Sequence, residues 1–215
     1  MGGNLIPDQD VVTAINAAWH KLSRRVDVQL LVDSSGSMND AFTSDGSSKI
    51  QAVRRDITAL VNLLPGSDHL GLNAFSDRDI TLVAPSSVHA QRQDIMNRMN
   101  TITPAGSTRL YESIADEIHR LQAQPTRYPE VLIVFTDGED TAQHLTLDQL
   151  LKQLTAANTG TQQKVKIFSL AYSQTRADIE SLTQIAQATG GQEYSGSAAN
   201  IQQLSSSLNQ PLVVP

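Results

Sequence analysis

The stretch VDVQLLVDSSGS, residues 26–37, decides the fold class of this chain. Its first seven residues form a nearly continuous apolar and β-prone run, which stops abruptly at Asp33. A strand that is buried on both faces has this composition, whereas a strand with one face in water alternates apolar and polar residues. The stretch therefore predicts a central strand that ends in a polar loop.

The segments on either side of this strand alternate between helical and strand patterns. Apolar residues recur at helical spacing over 50–64, 88–99, 110–121, 147–154, 179–186 and 201–208, and strand-like runs cover 70–75, 79–83, 131–136, 165–172 and 192–194. Because only Ser76-Asp77-Arg78 separates two of the runs, they favour a hairpin with one antiparallel edge strand. We predict an α/β fold with a doubly wound, Rossmann-like, mostly parallel sheet and helices on both faces.

The length and composition suit a single large domain. The chain has 215 residues, of which 40% are hydrophobic, and this is enough for one sizeable core. We expect the domain to cover 26–208, with an N-terminal helical extension over 1–25 and a tail over 209–215. Within the extension, four apolar residues recur at helical spacing: Val11, Ile15, Trp19 and Leu22.

The bulk composition also excludes several kinds of site and partner. The formal net charge of −6 gives no basic footprint for nucleic acid. No apolar run approaches the roughly 20 residues that span a bilayer, so we expect no direct membrane insertion. The absence of cysteine excludes disulfides and thiolate metal sites, and the five histidines lack metal-ligand spacing.

Three separated segments place oxygen donors at one edge of the predicted sheet. Asp33, Ser35 and Ser37 follow the first strand, Thr108 lies at the start of a helix, and Asp137 follows the strand over 131–136. Ligands of doubly wound sheets bind beyond the carboxyl ends of strands, near the point where the strand order reverses. Hydroxyl and carboxylate ligands suit Mg²⁺, with Mn²⁺ or Ca²⁺ as alternatives, although Ca²⁺ usually recruits more carboxylates. The competing interpretation is that these residues only form turns after strands.

Together the three segments resemble the metal ion-dependent adhesion site of von Willebrand factor A domains. The segments that carry the resemblance are DSSGS over 33–37, GST over 106–108 and TDG over 136–138, in matching order and structural context. The resemblance implies that the hydroxyls of Ser35 and Ser37 touch the metal. It also implies that Thr108 does so directly or through water, and that Asp33 and Asp137 act mostly through bound waters.

The same resemblance implies a protein-binding function. Carboxylates that act through water leave the cation underneutralised, so it favours an anionic sixth ligand. We expect an Asp or Glu side chain of a partner protein to supply that ligand. The surface that contacts the partner would come from Arg109 and from the loops at 39–40, 77–78 and 139–140. The competing interpretation of Arg109 is a solvated surface arginine with no role in binding.

Enzymatic alternatives fail on particular residues. Ser35 stands where an aspartyl-phosphate phosphatase has its second acid. The sequence Gly36-Ser37-Met38 does not match the GxSxG pattern of a nucleophile elbow, and no GxxxxGK[ST] loop is present. We therefore expect no covalent chemistry.

Longer segments resemble bacterial von Willebrand A domains of envelope-associated, solute-binding-like proteins. These segments are AINAAWHKLSRRVDVQLLVDSSGSM over 14–38, LYESIADEI over 110–118, VLIVFTDGED over 131–140 and IAQATGGQEY over 185–194. The resemblance implies an extracellular or cell-envelope location. Intracellular relatives in chelatase and ATPase assemblies leave a metal-independent cytoplasmic scaffold as the alternative. In integrin-type relatives the last helix moves on ligand binding, and 201–208 is the corresponding segment.

Overall fold

The computed structural model describes residues 25–44, 46–124, 126–159 and 164–209. The strands are β1 Asp27–Asp33, β2 His69–Phe75, β3 Asp79–Ser87, β4 Glu130–Thr136, β5 Val165–Ala171 and β6 Glu193–Ser195. The helices are α1 Lys49–Leu63, α2 Val88–Thr101, α3 Leu110–Ala123, α4 Leu147–Asn158, α5 Arg176–Ala188 and α6 Ala198–Asn209, with a short 3-10 helix at Gly36–Asn39. The N-terminal helix predicted within 1–25 lies outside the described residues.

The six strands form one sheet in the order β3-β2-β1-β4-β5-β6. Strand β3 pairs antiparallel with β2, and the other pairings are parallel. Successive strands run outward in one direction from β1 and in the other direction from β4, so the strand order reverses between these two. The predicted doubly wound sheet with one antiparallel edge strand is confirmed.

Helices cover both faces of the sheet, and each face has its own apolar core. One core combines β-strand residues with α1, α2 and α6, and the other combines them with α3, α4 and α5. Within β1, Leu30 and Val32 belong to the first core and Leu31 to the second. Because successive strand side chains point to opposite faces, an apolar run such as LLV fills both cores at once.

The edge strand is longer than its sequence pattern indicates. We predicted a strand over 79–83, but β3 continues to Ser87, which pairs with His69. The pairing register shifts between Leu70 and Leu72, and a side chain on Gly71 would collide with Pro85. The irregularity lets a proline-containing segment pair at a sheet edge, where a missing N–H is tolerated.

Helix α3 starts later than predicted. Ser107 and Thr108 lie in the loop before it, and the helix begins at Leu110. None of the helices in the described ranges is long and apolar enough to cross a membrane.

Candidate metal centre

The five predicted ligand residues lie on three loops that backbone hydrogen bonds join. The loop after β1 is bonded to the loop before α3, since Gly36 N donates to Gly106 O over 3.1 Å. The loop before α3 is bonded in turn to the loop after β4, since Thr141 N and Ala142 N both donate to Thr108 O over 2.9 Å. The structure therefore brings these three segments together at the carboxyl ends of β1 and β4, where the strand order reverses.

Asp33 is fully buried and fixed by two hydrogen bonds. Its Oδ1 accepts from Ser35 N over 2.8 Å, and its Oδ2 accepts from Thr136 Oγ1 over 2.6 Å. Burial raises the pKa of Asp33 to about 6, the hydrogen bonds from Ser35 and Thr136 oppose this rise, and the nearby Asp137 carboxylate adds to it. The orientation of Asp33 is therefore set by the end of β1 and by its neighbour β4.

The two serine hydroxyls lie side by side. Ser35 Oγ and Ser37 Oγ are 3.2 Å apart, and Ser35 is buried. Met38, which is also fully buried, anchors the short 3-10 helix that carries Ser37. Adjacent ligands of an octahedral Mg²⁺ are separated by roughly 2.9 Å, as follows from its bond length of about 2.1 Å. The spacing of the hydroxyls therefore fits two neighbouring ligands of one ion.

Asp137 is buried, and its two oxygens differ in their contacts. Oδ2 accepts from Lys49 Nζ over 2.8 Å, whereas Oδ1 is buried without a hydrogen-bond partner among the described residues. A buried carboxylate oxygen without a partner is destabilising unless a cation or water contacts it. Both observations fit a carboxylate that faces a cation.

Thr108 is buried on a loop that is held from both sides. Its N–H donates to Thr141 Oγ1 over 2.8 Å. On the other side, Ser107 N and Ser107 Oγ donate to Asp77 Oδ1 over 2.8 and 2.5 Å, and these bonds lower the pKa of Asp77. Gly106 has a φ of 84°, and a side chain there would collide with the Asp77 carboxylate. The hairpin turn after β2 thus positions the loop that carries Thr108.

The donor set as a whole fits Mg²⁺. It contains the carboxylates of Asp33 and Asp137 and the hydroxyls of Ser35, Ser37 and Thr108. Across the described ranges, no cluster of three or more His, Cys, Asp or Glu residues could hold a metal ion. A metal at this centre would therefore depend on the hydroxyls as well as on the two carboxylates. A site with few carboxylates and several hydroxyls suits Mg²⁺ better than Ca²⁺, and it lacks the nitrogen and sulfur ligands that Zn²⁺ prefers.

The sequence predicted no contact for four residues that shape this centre. They are Lys49, Asp77, Thr136 and Thr141, which contact the predicted ligands or the loops that carry them. Asp77 was expected only within a surrounding surface loop, and Thr136 only within the TDG segment. Lys49 and Thr141 were not singled out. Lys49 had a weaker signal, because a cation at the first position of a helix opposes the helix dipole.

The predicted surface residues around the centre make structural contacts of their own. Arg109 forms ion pairs with Asp79 and Asp116, each over 3.2 Å, so it is held by carboxylates rather than free in solvent. Asp140 accepts backbone hydrogen bonds from Tyr111 N and Gln143 N, both over 3.1 Å. Asp140 therefore caps the start of α3, as an acidic group at a helix N-terminus commonly does.

A cleft of about 440 Å³ lies beside the centre. It is lined in part by Ser34, Ile80, Ile102, Ala105 and Gly106, so it adjoins the loops after β1 and before α3. Ile80 is 44% exposed, and among the described residues the other large hydrophobic side chain with comparable exposure is Leu63. Apolar surface therefore lies next to the polar centre.

Comparisons with known proteins agree with this architecture. A family model described as von Willebrand factor type A domain matches residues 27–210. A search of curated proteins found no match. Among solved structures, the conserved hypothetical protein BatB from Bacteroides thetaiotaomicron is 18% identical with a TM-score of 0.65, covering 84% of this chain and 96% of that one.

Two further solved structures have similar folds. An aerotolerance-related membrane protein from Bacteroides fragilis is 16% identical with a TM-score of 0.65, covering 86% of this chain and 97% of that one. The pilus adhesin SpaC from Lactobacillus rhamnosus GG is 17% identical with a TM-score of 0.67, covering 86% of this chain and 30% of that one. At these identities the likeness shows the fold alone.

Proposed function

The chain belongs to the von Willebrand factor type A domain family, and we propose that it binds a partner protein through a Mg²⁺ ion. The ligands are Asp33, Ser35, Ser37, Thr108 and Asp137, acting directly or through water, and Mn²⁺ or Ca²⁺ are alternative ions. The partner supplies an Asp or Glu carboxylate. Domains of this family are generally protein-interaction modules, and the metal dependence and the carboxylate ligand are the proposed additions.

The observation that carries the proposal is the pair of unequal oxygens on Asp137. One oxygen contacts the ammonium group of Lys49, and the other is buried without a hydrogen bond. The adjacent hydroxyls of Ser35 and Ser37 complete a surface of hard oxygen donors around a position that already attracts a positive charge. A divalent cation satisfies these oxygens better than any neutral donor.

The chain's own residues hold the donors in place before a metal arrives. Asp33 receives hydrogen bonds from Ser35 N and Thr136 Oγ1, so it fixes the loop after β1 against β4. When bound, the cation supplies an open position for an anionic oxygen from the partner. The cleft that contains the exposed Ile80 supports apolar contact beside that oxygen.

We propose binding without covalent chemistry. Ser35 and Ser37 share a hydrogen bond with each other, and within the described ranges no histidine hydrogen-bonds to either hydroxyl. A serine nucleophile needs such a base within hydrogen-bond reach. The proposed location is the cell envelope or the cell exterior, which the membrane protein and the pilus adhesin among the structural neighbours support.

A metal-independent scaffold is the second candidate function. The contact between Lys49 and Asp137 favours it, because an internal ammonium group partly satisfies this carboxylate without a metal. The two candidates differ in whether the domain binds divalent ions at all.

Calorimetric titration of Mg²⁺ and Mn²⁺ into metal-stripped protein tests the proposal. We expect saturable binding that Asp33→Ala abolishes and that the double variant Ser35→Ala/Ser37→Ala weakens strongly. Asp94→Ala is the matched control, because this carboxylate is exposed on α2 and should leave binding unchanged. Circular dichroism confirms that each variant is folded. Absence of binding to the intact protein would favour the scaffold.

A peptide array tests the nature of the partner. Each peptide that contains one Asp is paired with the same peptide carrying Asn, and the array is probed in Mg²⁺ and again in EDTA. We expect binding to particular Asp peptides in Mg²⁺ only. Equal binding to the Asn peptides, or binding that survives EDTA, would contradict the carboxylate as ligand.

A further inference from the structure

Lys49 reaches into the centre from outside the three ligand loops. It is the first residue of α1, and its Nζ lies 2.8 Å from Asp137 Oδ2 and 3.7 Å from Asp40 Oδ2. The Lys49 side chain is only 16% exposed, and that of Asp137 is 5% exposed, whereas that of Asp40 is 69% exposed. The ammonium group thus lies between a buried carboxylate and an exposed one.

The position of Lys49 is unfavourable on local grounds. The first turn of α1 contains no acidic residue, and the positive end of a helix dipole repels a cation. The start of the helix is already satisfied by a capping box between Ser48 and Gln51. Local helix energetics therefore gives Lys49 no reason to be buried there, and the attraction of Asp137 is what holds it.

We propose that Lys49 is a tethered cation that occupies the position beside Asp137 in the metal-free domain and competes with the divalent ion for that carboxylate. The proposal rests on the proposed metal-binding function. Two cations close to one carboxylate group, even on its two different oxygens, repel each other strongly in a partly buried site. Binding of a divalent ion therefore displaces the Lys49 ammonium group, and Asp40 is the neighbouring carboxylate that receives it.

This competition sets the affinity of the centre. Removing one partner of a buried ion pair leaves the other charge unpaired, which destabilises the metal-free state. Loss of the Lys49 charge therefore lowers the stability of the metal-free domain and increases the stabilisation that the domain receives from metal binding. Lysine thus protects the domain from unfolding without metal and keeps the metal affinity below what the oxygen ligands alone would give.

The test compares metal affinity and melting temperature in Lys49→Met, which keeps the length of the side chain and removes its charge. We expect Mg²⁺ and Mn²⁺ to bind about tenfold more tightly to this variant, as loss of a competing charge-assisted hydrogen bond predicts. We also expect its melting temperature to fall in EDTA and to rise more on metal addition than that of the unmodified chain. Lys152→Met is the matched control, because Lys152 is exposed on α4.

Asp40→Asn provides a second, milder variant. Removing the carboxylate that receives Lys49 should weaken metal binding by a few-fold, because the displaced ammonium group loses its alternative partner. The variant keeps the contact between Lys49 and Asp137 and removes only the longer ion pair of Lys49 with the exposed Asp40, so the melting temperature in EDTA should change little.

The outcomes separate this inference from the proposed function. If the unmodified chain binds the metal and Lys49→Met binds it equally or more weakly, the competition is overturned. The metal-dependent function then still stands. Binding to Lys49→Met alone supports the competition but overturns the metal-dependent function of the natural chain, because the lysine then closes the centre. Failure of both folded proteins to bind Mg²⁺ or Mn²⁺ overturns the function and the competition together.

Discussion

Thr136 at the end of β4 donates a 2.6 Å hydrogen bond from its Oγ1 to Oδ2 of Asp33 at the end of β1. The same hydroxyl accepts from Gly138 N over 3.0 Å. One threonine therefore orients a candidate metal-centre carboxylate and shapes the turn that leads away from Asp137.

Replacing Thr136 with valine should weaken metal binding without loss of the fold. Valine has a similar shape but cannot orient Asp33, and groups that hold metal ligands typically change affinity by about 10- to 100-fold when they are removed. Calorimetric titration of Mg²⁺ measures the change. Thr155→Val is the control, because in the part of the chain that the structure describes its hydroxyl donates only to the Leu151 carbonyl, on the exposed face of α4. An unchanged affinity in Thr136→Val would show that Asp33 needs no such support.

Gly138→Ala should destabilise the domain more than Gly190→Ala does. Both glycines have positive φ, of 89° and 73°, so alanine costs about 1 kcal/mol of backbone strain at either position. A side chain at 138 would also lie 2.7 Å from Cβ of Asp178, whereas at 190 no atom of the described residues lies within 4 Å. Urea unfolding of the two variants measures the difference, and equal losses would mean that Asp178 and α5 shift freely.

Tyr172→Phe should cost about 1–3 kcal/mol of unfolding free energy at neutral pH, because it removes a hydrogen bond to a buried carboxyl group. Tyr172 is fully buried, and its hydroxyl donates to Asp56 Oδ2 over 2.7 Å. Burial raises the pKa of Asp56, and the Tyr172 hydroxyl opposes that rise. The loss should therefore shrink in acid, where Asp56 is protonated.

Denaturant unfolding of Tyr172→Phe at neutral and acidic pH checks this expectation. Tyr194→Phe serves as the control, because its hydroxyl contacts Ser207 over 3.1 Å and Gln192 over 3.4 Å but no carboxylate of the described residues. A loss that is the same at both pH values, or no larger than in the control, would contradict the assigned hydrogen bond to a charged Asp56.

Buried carboxyl groups at the end of the sheet opposite the metal centre should make the free energy of unfolding fall as the pH rises. Burial and the neighbouring Asp27 raise the pKa of Glu130 to about 7, while Arg120 opposes the rise. Burial also raises the pKa of Asp68 to about 6, with Asp27 adding to the rise and Arg25 opposing it. His69 is a further ionisable residue at this end of the sheet, since it lies opposite Asp27 in the pairing of β1 with β2.

The direction follows from proton binding in the two states. Below about pH 4.5 the Glu130 carboxyl is protonated in both states, so its pKa shift has no effect. Between pH 4.5 and 7 the unfolded chain loses this proton before the folded chain does, and the free energy of unfolding falls. Above pH 7 the loss is complete.

Glu130→Gln should remove this part of the pH dependence, with its largest relative gain in stability above pH 7. Thermal unfolding from pH 4 to 8 measures the difference between variant and unmodified chain at each pH. Glu180→Gln, at a site that is 57% exposed on α5, should leave the profile unchanged. A difference that does not vary with pH would contradict the raised pKa of Glu130.

The sequence predicted the parallel sheet well because its central strands are buried on both faces. Runs such as 26–32 and 131–136 are apolar at almost every position, and this pattern has few structural solutions. The edge strand was predicted too short, since β3 continues to Ser87 through a shifted register beside Gly71 and Pro85. Edge strands pack on one side only, so their residues carry less hydrophobic signal.

The sequence predicted which loops form the candidate site, but it did not predict the hydrogen bonds and ion pairs within the site. Residues after parallel strands meet at one edge of the sheet, which is why Asp33 and Asp137 could be grouped from their positions alone. The contact between Lys49 and Asp137 joins residues 88 positions apart, and no local pattern specifies it. The same holds for Asp77 and Ser107, which are 30 positions apart.

The sequence by itself determined which segments are strands, which residues end them, and which chemical groups lie at the carboxyl edge of the sheet. These properties depend on hydrophobic periodicity and chain order, which are local. Only the tertiary structure decided the partner of each polar group: Thr136 for Asp33, Lys49 for Asp137 and Asp77 for Ser107. Burial imposes that choice, because a polar group removed from water needs a partner that the packing of distant loops must deliver.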